Sequence, residues 1–510
     1  MYAYDEITDK LKQRGIDKIL SIDLILNESN VYVIEYNCEE KENLIKKRVI
    51  VFGTGNQYEN NKPIVNRYAD IIGLIDNNSD LWGKTKDGIV IYKPEDIFTL
   101  CYDCVVLEAV RAKEMKEQLL AMGVDKTKIK YHTEFYAEYA ENEIKYYNNF
   151  EMKDNNENIL FITNDLGYHG AAIAAVYATM ALMKRGKNVL LIAASGDEKF
   201  IEEMTKQDIH IAIDKKIPYI GEYEKIWIKR FDFVIVNVFN LIRCAYEVSQ
   251  IRPSFWWIHE AKDSFEITIG EFPEYFVADK MEKCNIVAVA SIPQNNFNDY
   301  FKGMVKERLP YGIPDENNFK IDSNEKKDKT VFAIIGTCCQ RKSQKICIDA
   351  FKMMSQEKRK EIELWVIGNV SNSLYCEGLI ETTKEDEEIK FMGVCSREKM
   401  KEIFPKIDVL LCPSEEDPMP IVVTEAMMYG KVCVVSDMVG TSEYIIDGYN
   451  GFICKQGDVC ELYYKLEYIL ENRDMLSLIG KRGRDIYDEY FSMDIFADNL
   501  EKTMHRYGLK

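Results

Sequence analysis

Residues 409–452 read VLLCPSEEDPMPIVVTEAMMYGKVCVVSDMVGTSEYIIDGYNGF, and the punctuation of this stretch decides the fold. An apolar run of strand length ends at Cys412, and a turn with three consecutive acids, Glu415, Glu416 and Asp417, follows it. Pro420 suits the start of a helix and Gly430 its stop, so a helix is predicted over residues 422–429. Strand, turn and helix in that order form the repeating unit of an α/β domain built on a parallel sheet.

The same alternation runs outward through the chain and separates into three blocks. The first holds strand-like runs at 48–55 (RVIVFGTG), 71–76, 89–92 and 104–107, and ends in a polar, aromatic connector over 136–158. The second opens at Ile159 as strand, Gly loop, helix, Gly stop and strand (ILFITNDLGYHGAAIAAVYATMALMKRGKNVLLIAA). It continues through 231–238 and 254–259 (SFWWIH) to about Pro314. A charged segment at 322–329 (DSNEKKDK) reads as a linker to the third block, which starts at 330–336 (TVFAIIG). The expected domains are therefore a partial segment over 1–45, an accessory domain over 46–150, lobes over 157–320 and 330–490, and a final helix over 491–510. Residues 6–18 also echo residues 114–126 in their Glu, Leu, Gly, Asp and Lys. Either two unrelated amphipathic helices share a Gly stop, or the first 45 residues end a truncated copy of the first module.

Composition bounds the partners. The chain has 510 residues, and 66 Lys and Arg against 85 Asp and Glu leave a net charge of −19. That charge repels phosphate backbones and anionic lipid at long range, so neither a general nucleic-acid binder nor a polybasic anchor is the default, although local basic patches stay possible. At 46% hydrophobic residues the chain has apolar material for several cores. The 14 cysteines, many inside apolar runs as Cys347, Cys412 and Cys433 are, read as reduced, buried thiols. Cys101 and Cys104 form a lone CxxC read as packing. The polar start and the shortness of the most apolar stretch, 171–183, predict a cytoplasmic protein without a membrane span. Lys184, Arg185 and Lys187 suggest at most a weak peripheral membrane contact, against the plainer reading of a solvated helix end.

Several positions carry chemistry. In the first block Gly53-Thr54-Gly55 follows a strand, and Asp76 ends the next one where an acid would meet a ribose. Tyr58 stands where a dinucleotide fingerprint needs its third Gly, and Asn60, Asn61 and Pro63 make a poor first helical turn. A scaffold that has lost its ligand, or that binds another nucleotide, is weighed against a dinucleotide site. In the second block Gly167 and Gly170 let backbone amides face an anion or sugar hydroxyls, or simply make a tight turn. His259, followed by Glu260, falls at a strand's carboxyl end, where ligands of open sheets collect. In the third block Asp417 and Glu425 stand eight apart. One carboxylate can accept two ribose hydroxyls and another the hydroxyls of a transferred sugar, with helix-start amides facing a diphosphate between them.

The string PS…EAM…GK.VV.SD..G..E.I.DG.NGF resembles the carboxyl-terminal domain of the family-four retaining glycosyltransferases. The resemblance covers about 157–500 and implies the GT-B fold, two Rossmann-like lobes facing a cleft, here preceded by an extra Rossmann-like module. It places the family's Glu-x7-Glu pair on Asp417, which departs from Glu, and Glu425, with Asp417 on the donor sugar and Glu425 on the ribose. Residues 336–345 (GTCCQRKSQK) resemble the family's diphosphate loop, with Ser343 in place of a Gly. Donor contacts then fall on Gly336, Arg341, Lys342, Asp417, Met419, Ile421 and Glu425. Acceptor-side contacts fall on Gly167, Gly170 and His259, and catalytic roles on His259, Asp417 and Lys342. Pro418 and Pro420 remove two backbone donors from a loop that is Gly-Phe-Gly in the family. Glu443 lies in the Gly-…-Glu-…-Gly segment, and Tyr311-Gly312-Ile313-Pro314 varies the signature before the linker.

With no D-x-D triplet present, no metal and no cofactor are expected, and Arg341 and Lys342 would offset the diphosphate charge. The implied activity is a metal-independent hexosyltransferase acting with retention. It would move a sugar from a nucleotide-diphosphate donor to a glycan or lipid-linked acceptor in bacterial surface polysaccharide biosynthesis. Two alternatives stay open: a catalytically weak GT-B partner or regulator, and a bifunctional protein with an NAD-dependent sugar-nucleotide module.

Overall fold

Runs of β-branched and aliphatic residues that are buried on both faces form parallel strands, and this chain builds most of its sheets that way. The computed structural model describes residues 19–26, 32–38, 46–109, 112–139, 144–154, 157–317, 329–370 and 374–509. These fall into two units. The first comprises Met1–Leu160, Lys187–Phe231 and Ile269–Phe276, and the second Phe161–Gly186, Asp232–Thr268 and Val277–Lys510.

The first unit begins with β1 (Ile19–Leu26) and β2 (Tyr32–Cys38), which pair antiparallel. Residues 6–18, the first half of the sequence echo, lie outside the described residues. A six-stranded sheet follows, from β3 (Lys47–Phe52), β4 (Ala69–Ile75), β5 (Thr85–Lys86), β6 (Ile89–Tyr92), β7 (Cys104–Leu107) and β8 (Ile129–Tyr131). Its order is β5-β6-β4-β3-β7-β8, with β5 antiparallel to β6 and every other neighbour parallel. The first parallel strand is central, and the order reverses between β3 and β7, the switch point of a doubly wound sheet. Val49 and Val51 bury one face of β3, and Ile50 and Phe52 the other.

At that switch point Gly53 has φ +108°, and a Cβ there would lie 2.5 Å from the Glu108 carbonyl oxygen. The expected poor start of the next helix is corrected: Asn56–Tyr68 is a 13-residue helix despite Pro63. Tyr58 and Val65 anchor it by burial against the sheet, so packing outweighs propensity. Of the CxxC pair, Cys104 is buried on β7 and Cys101 is exposed.

The unit is completed by β9 (Ile144–Tyr146), the start of β10 (Asn158–Leu166), β11 (Asn188–Gly196) and β12 (His210–Asp214). β11 and β12 are parallel, and β9 pairs antiparallel with β12. Part of the connector expected over 136–158 is therefore strand.

In the second unit, β13 (Phe233–Asn237), β14 (Ser254–Ile258), β15 (Ile286–Ala288) and β16 (Glu307–Arg308) form parallel neighbours, and the rest of β10 lies beside β13. A second sheet contains β17 (Thr330–Ile335), β18 (Ile362–Ile367), β19 (Ile389–Gly393), β20 (Val409–Cys412), β21 (Val432–Ser436) and β22 (Phe452–Cys454). Its order is β19-β18-β17-β20-β21-β22, parallel throughout. The order reverses between β17 and β20, so the loops after these two strands border the crevice in which open α/β sheets bind ligands.

The helix Met493–Arg506 lies against the helix Gly170–Lys184. Lys184 pairs with Asp494 at 2.8 Å and Arg185 with Asp498. In the first unit Lys187 pairs with Glu157. The three cations considered for a membrane contact are thus all in ion pairs with acids. Gly312 makes room for the same helix, because a Cβ there would meet Phe496 Cβ at 2.5 Å. No helix among the described residues is long and apolar enough to cross a membrane.

Candidate functional site

The loop after β17 runs from Gly336, at φ +145°, to a single 3₁₀ turn, Gln340–Lys342, and then to the helix Gln344–Lys352. Ser343 joins turn to helix in the left-handed region, at φ +57°, a conformation that Gly adopts without steric cost. Within this loop the expectation of reduced thiols is corrected: Cys338 is disulfide-bonded to Cys376 of the helix Leu374–Thr383. The two are 38 residues apart in sequence but lie in one apolar core, a proximity that only tertiary packing creates.

The loop after β20 brings the acids to these cations. Lys342 Nζ pairs with the Asp417 carboxylate. Burial alone would push the Lys342 ammonium down, but Asp417 more than offsets it and holds it above its ordinary range. Arg341 Nη1 donates to the Glu416 carbonyl oxygen at 2.9 Å and lies 3.8 Å from Asp417. The acid loop is itself pinned. Asp417 N donates to Met438 O at 3.0 Å, and Gly440 N donates to Asp417 O at 2.9 Å. Ser436 Oγ donates to Ser414 O at 2.6 Å.

Pro420 caps the helix, which spans Ile421–Met428, one residue earlier than predicted. Met419 and Ile421 are buried beside it. Tyr311 Oη, itself buried, donates to Met419 O at 2.7 Å. Tyr311→Phe would leave that buried carbonyl unpaired, at a cost of about 1–3 kcal/mol. A chemical-denaturation midpoint unchanged by this substitution would contradict the assignment.

Glu425 sits in the second turn of this helix with 4% of its surface exposed. Its carboxylate pairs with Arg397, a residue the sequence reading did not single out. Arg397 also reaches Tyr177 Oη at 3.1 Å and Glu316 at 3.3 Å. The one local signal was Ser396, which caps the helix Arg397–Ile403 and thereby fixes where Arg397 begins. Glu443 is paired with Arg308.

Gly167, Gly170 and His259 lie just beyond the carboxyl ends of β10 and β14. Gly167 and Gly170 flank His169, whose Nε2 lies 2.7 Å from Asp165, and Gly170 opens the helix Gly170–Lys184. The ring of His259 stands edge-on to Trp257 at 4.4 Å between centroids. Burial pushes its imidazole down to about 3, and its Nε2 is buried without a partner among the described residues. At neutral pH it is therefore an uncharged ring with one nitrogen unspent. Beside it, burial pushes the Glu260 carboxyl up to about 7, although the backbone amides of Phe239 and His259 donate to it. Val238, at the end of β13, holds φ +75°, a strained conformation for a β-branched residue next to this pair.

The two sheets of this unit meet through Glu416. Its Oε1 accepts Lys262 N at 3.0 Å and Asn296 Nδ2 at 2.6 Å, and Lys262 lies three residues beyond His259. Gly336, Arg341, Lys342, Asp417, Met419, Ile421 and Glu425 thus fall in the loops after β17 and β20 and in the helix that follows β20, with Gly167, Gly170 and His259 at strand ends of the first sheet. In the other unit Asp76 is engaged internally, because Thr54 N and Oγ1 both donate to its Oδ2, at 3.1 and 2.6 Å. No cluster of three or more metal-ligating side chains occurs among the described residues.

This arrangement of sheets is the GT-B fold, and over residues 315–486 the chain matches the family model of glycosyl transferases group 1. Residues 45–130 match a second model, described as C2185-like, N-terminal. Among curated proteins the chain is 24% identical over 332 residues to a trehalose synthase of Thermococcus litoralis, covering 60% of this chain and 74% of that one. It is 24% identical over 201 residues to the N-acetyl-alpha-D-glucosaminyl L-malate synthase of Bacillus anthracis, covering 39% of this chain and 48% of that one. Among solved structures, Anabaena HepE in complex with UDP and glucose superposes with a TM-score of 0.59 at 15% identity, covering 69% of this chain and 100% of that chain. The sucrose-phosphate synthase of Thermosynechococcus elongatus gives a TM-score of 0.55 at 14% identity, covering 69% and 98%.

Proposed function

We propose that the protein is a retaining glycosyltransferase that takes its sugar from a nucleotide-diphosphate donor. The observation that carries this reading is the half-buried Lys342 ammonium beside Arg341 in the loop after β17, facing the Asp417 loop after β20. Two cations fixed at a switch point suit a diphosphate, and they stabilise the charge that collects on it as the glycosidic bond breaks. Glu425 takes the ribose hydroxyls and Asp417 those of the sugar. The acceptor hydroxyl attacks on the face from which the nucleotide leaves and gives its proton to the departing phosphate oxygen. The uncharged His259 ring accepts or donates a hydrogen bond on the acceptor side. Protein cations replace a metal, so chelator is expected to leave the rate unchanged.

The complex of Anabaena HepE with UDP and glucose makes UDP-glucose the first donor to try. A glycan or lipid-linked acceptor of bacterial surface polysaccharide is our proposal for the other substrate, and residues 46–150 are proposed as an accessory module. One observation favours a second reading, a catalytically weak partner protein. Asp417 already neutralises Lys342, Arg397 holds Glu425, and Pro418 and Pro420 lack amide donors.

A panel of nucleotide sugars screened by thermal shift, then assayed for nucleotide release with and without acceptor, separates the two. Stabilisation by one donor with turnover supports the enzyme. Stabilisation without turnover across an acceptor series supports the partner, and no stabilisation by any donor removes both.

A further inference from the structure

The pairing of Glu425 with Arg397 has no task in the chemistry above. Arg397 opens the helix Arg397–Ile403, and its guanidinium meets three other parts of the chain at once. One nitrogen pairs with Glu425, and the other reaches Tyr177 Oη at 3.1 Å and Glu316 Oε2 at 3.3 Å. Lys401, a turn further along the same helix, lies 3.7 Å from the other oxygen of Glu316. The ionisable groups that face Glu425 are Arg397, Glu316, Tyr177, Tyr311 and Tyr429. Of these, Arg397 supplies the positive charge and Glu316 a second negative one.

We propose that Arg397 is a positioning residue that holds Glu425 aimed at the ribose of the nucleotide, and so sets the preference for a ribonucleotide over its 2′-deoxy form. The inference rests on the donor-site reading of Glu425. An ionised carboxylate accepts at both oxygens, which is what two adjacent hydroxyls require, whereas a protonated one turns one oxygen into a donor. Glu425 is buried, and that burial, with Glu316 close by, pushes its carboxyl above its ordinary range even though Arg397 opposes the shift. The planar guanidinium holds several partners in fixed directions. Its bonds to Tyr177 and Glu316 keep it in place while Glu425 turns an oxygen toward a ligand. Tyr177 lies on the helix Gly170–Lys184 beside the first sheet, so the ribose site is braced from the opposite side of the crevice.

The test is calorimetry on the full chain with UDP, ADP and GDP and their 2′-deoxy counterparts, titrated over roughly pH 5.5 to 9. Wild type is expected to prefer the ribonucleotide about tenfold or more, the scale of one charge-assisted hydrogen bond. Arg397→Met is expected to lose that preference at neutral pH and regain it as pH rises, with a midpoint about one unit or more above wild type. The sign follows from an acid whose protonation is no longer opposed: the variant must reach higher pH to ionise Glu425. Arg397→Gln keeps a hydrogen-bond donor without the charge and must show the same upward shift, which carries the test if the Met variant does not fold. In Arg397→Met with Glu425→Gln the pH dependence should vanish.

A purely structural role for Arg397 would lower the melting temperature and leave the pH profile in place. Wild-type ribose preference and an unshifted profile in both single variants would overturn the inference while leaving the donor site standing. Wild type that binds the nucleotides with no ribose preference would overturn the donor-site reading of Glu425, and this inference with it.

Discussion

Lys342→Ala is expected to lower the rate of sugar transfer by about 10²–10³-fold, the usual consequence of removing one donor aimed at developing charge. The side chain has 17% of its surface exposed, and burial would disfavour its charge if Asp417 were absent. Holding an ammonium there means that no solvent rearrangement is needed when the diphosphate leaves. The substitution also strands Asp417, so some loss of stability will accompany it. Two measurements separate the effects. The denaturation midpoint of Lys342→Ala with Asp417→Asn should recover most of the stability, whereas turnover should not recover. Lys342→Arg should bind nucleotide but transfer poorly, since a planar fork does not replace a point charge at the same atom position. Full turnover in Lys342→Ala would remove the diphosphate role from this loop.

Gly440→Ala is expected to be nearly as damaging, for a different reason. A Cβ at Gly440 would lie 1.7 Å from the Pro418 carbonyl oxygen and 2.9 Å from Ala290 Cβ. The requirement is space: the acid loop crosses this residue at backbone distance. The loop has little freedom to retreat, since Asp417 is tied on both sides to the chain after β21 and Met419 is held by Tyr311. We expect a loss of about 3 kcal/mol or more, typical of forced overpacking in a pinned segment. Nucleotide affinity should fall with it, because Asp417 moves with Pro418. Urea unfolding and nucleotide titration read the two effects. A variant within about 0.5 kcal/mol of wild type, the range of neutral surface changes, would show that the loop yields easily.

Much of the arrangement after β17 and β20 was legible in the chain because it is local. Strand, turn and helix signals put Asp417 and Glu425 in place, and the helix came within one residue, the difference being that Pro420 caps it from outside. Arg341 and Lys342 were readable as a basic pair between strand and helix. What the sequence hid is what long-range packing decides. Arg397 is 28 residues from Glu425 and 220 from Tyr177, and no spacing rule joins them. Tyr311 read as a departure from a signature, yet its hydroxyl closes a backbone carbonyl 108 residues away. The Cys338–Cys376 bond was missed because burial among apolar neighbours looks the same for a thiol and for a half-cystine. The three acidic side chains that the sequence offered as ligands, Asp76, Asp417 and Glu425, all carry partners in the fold.

The last helix bears on how the chain is made. Lys184 meets Asp494 across 310 residues, and the notch at Gly312 is filled by Phe496. During synthesis, then, the helix Gly170–Lys184 emerges long before the surface that covers it. The lobe built on β13–β16 has to wait, partly finished, while the whole lobe built on β17–β22 is threaded out and folded. Contacts of such separation are slow to form, so the late helix acts as a clasp fastened only after both lobes exist.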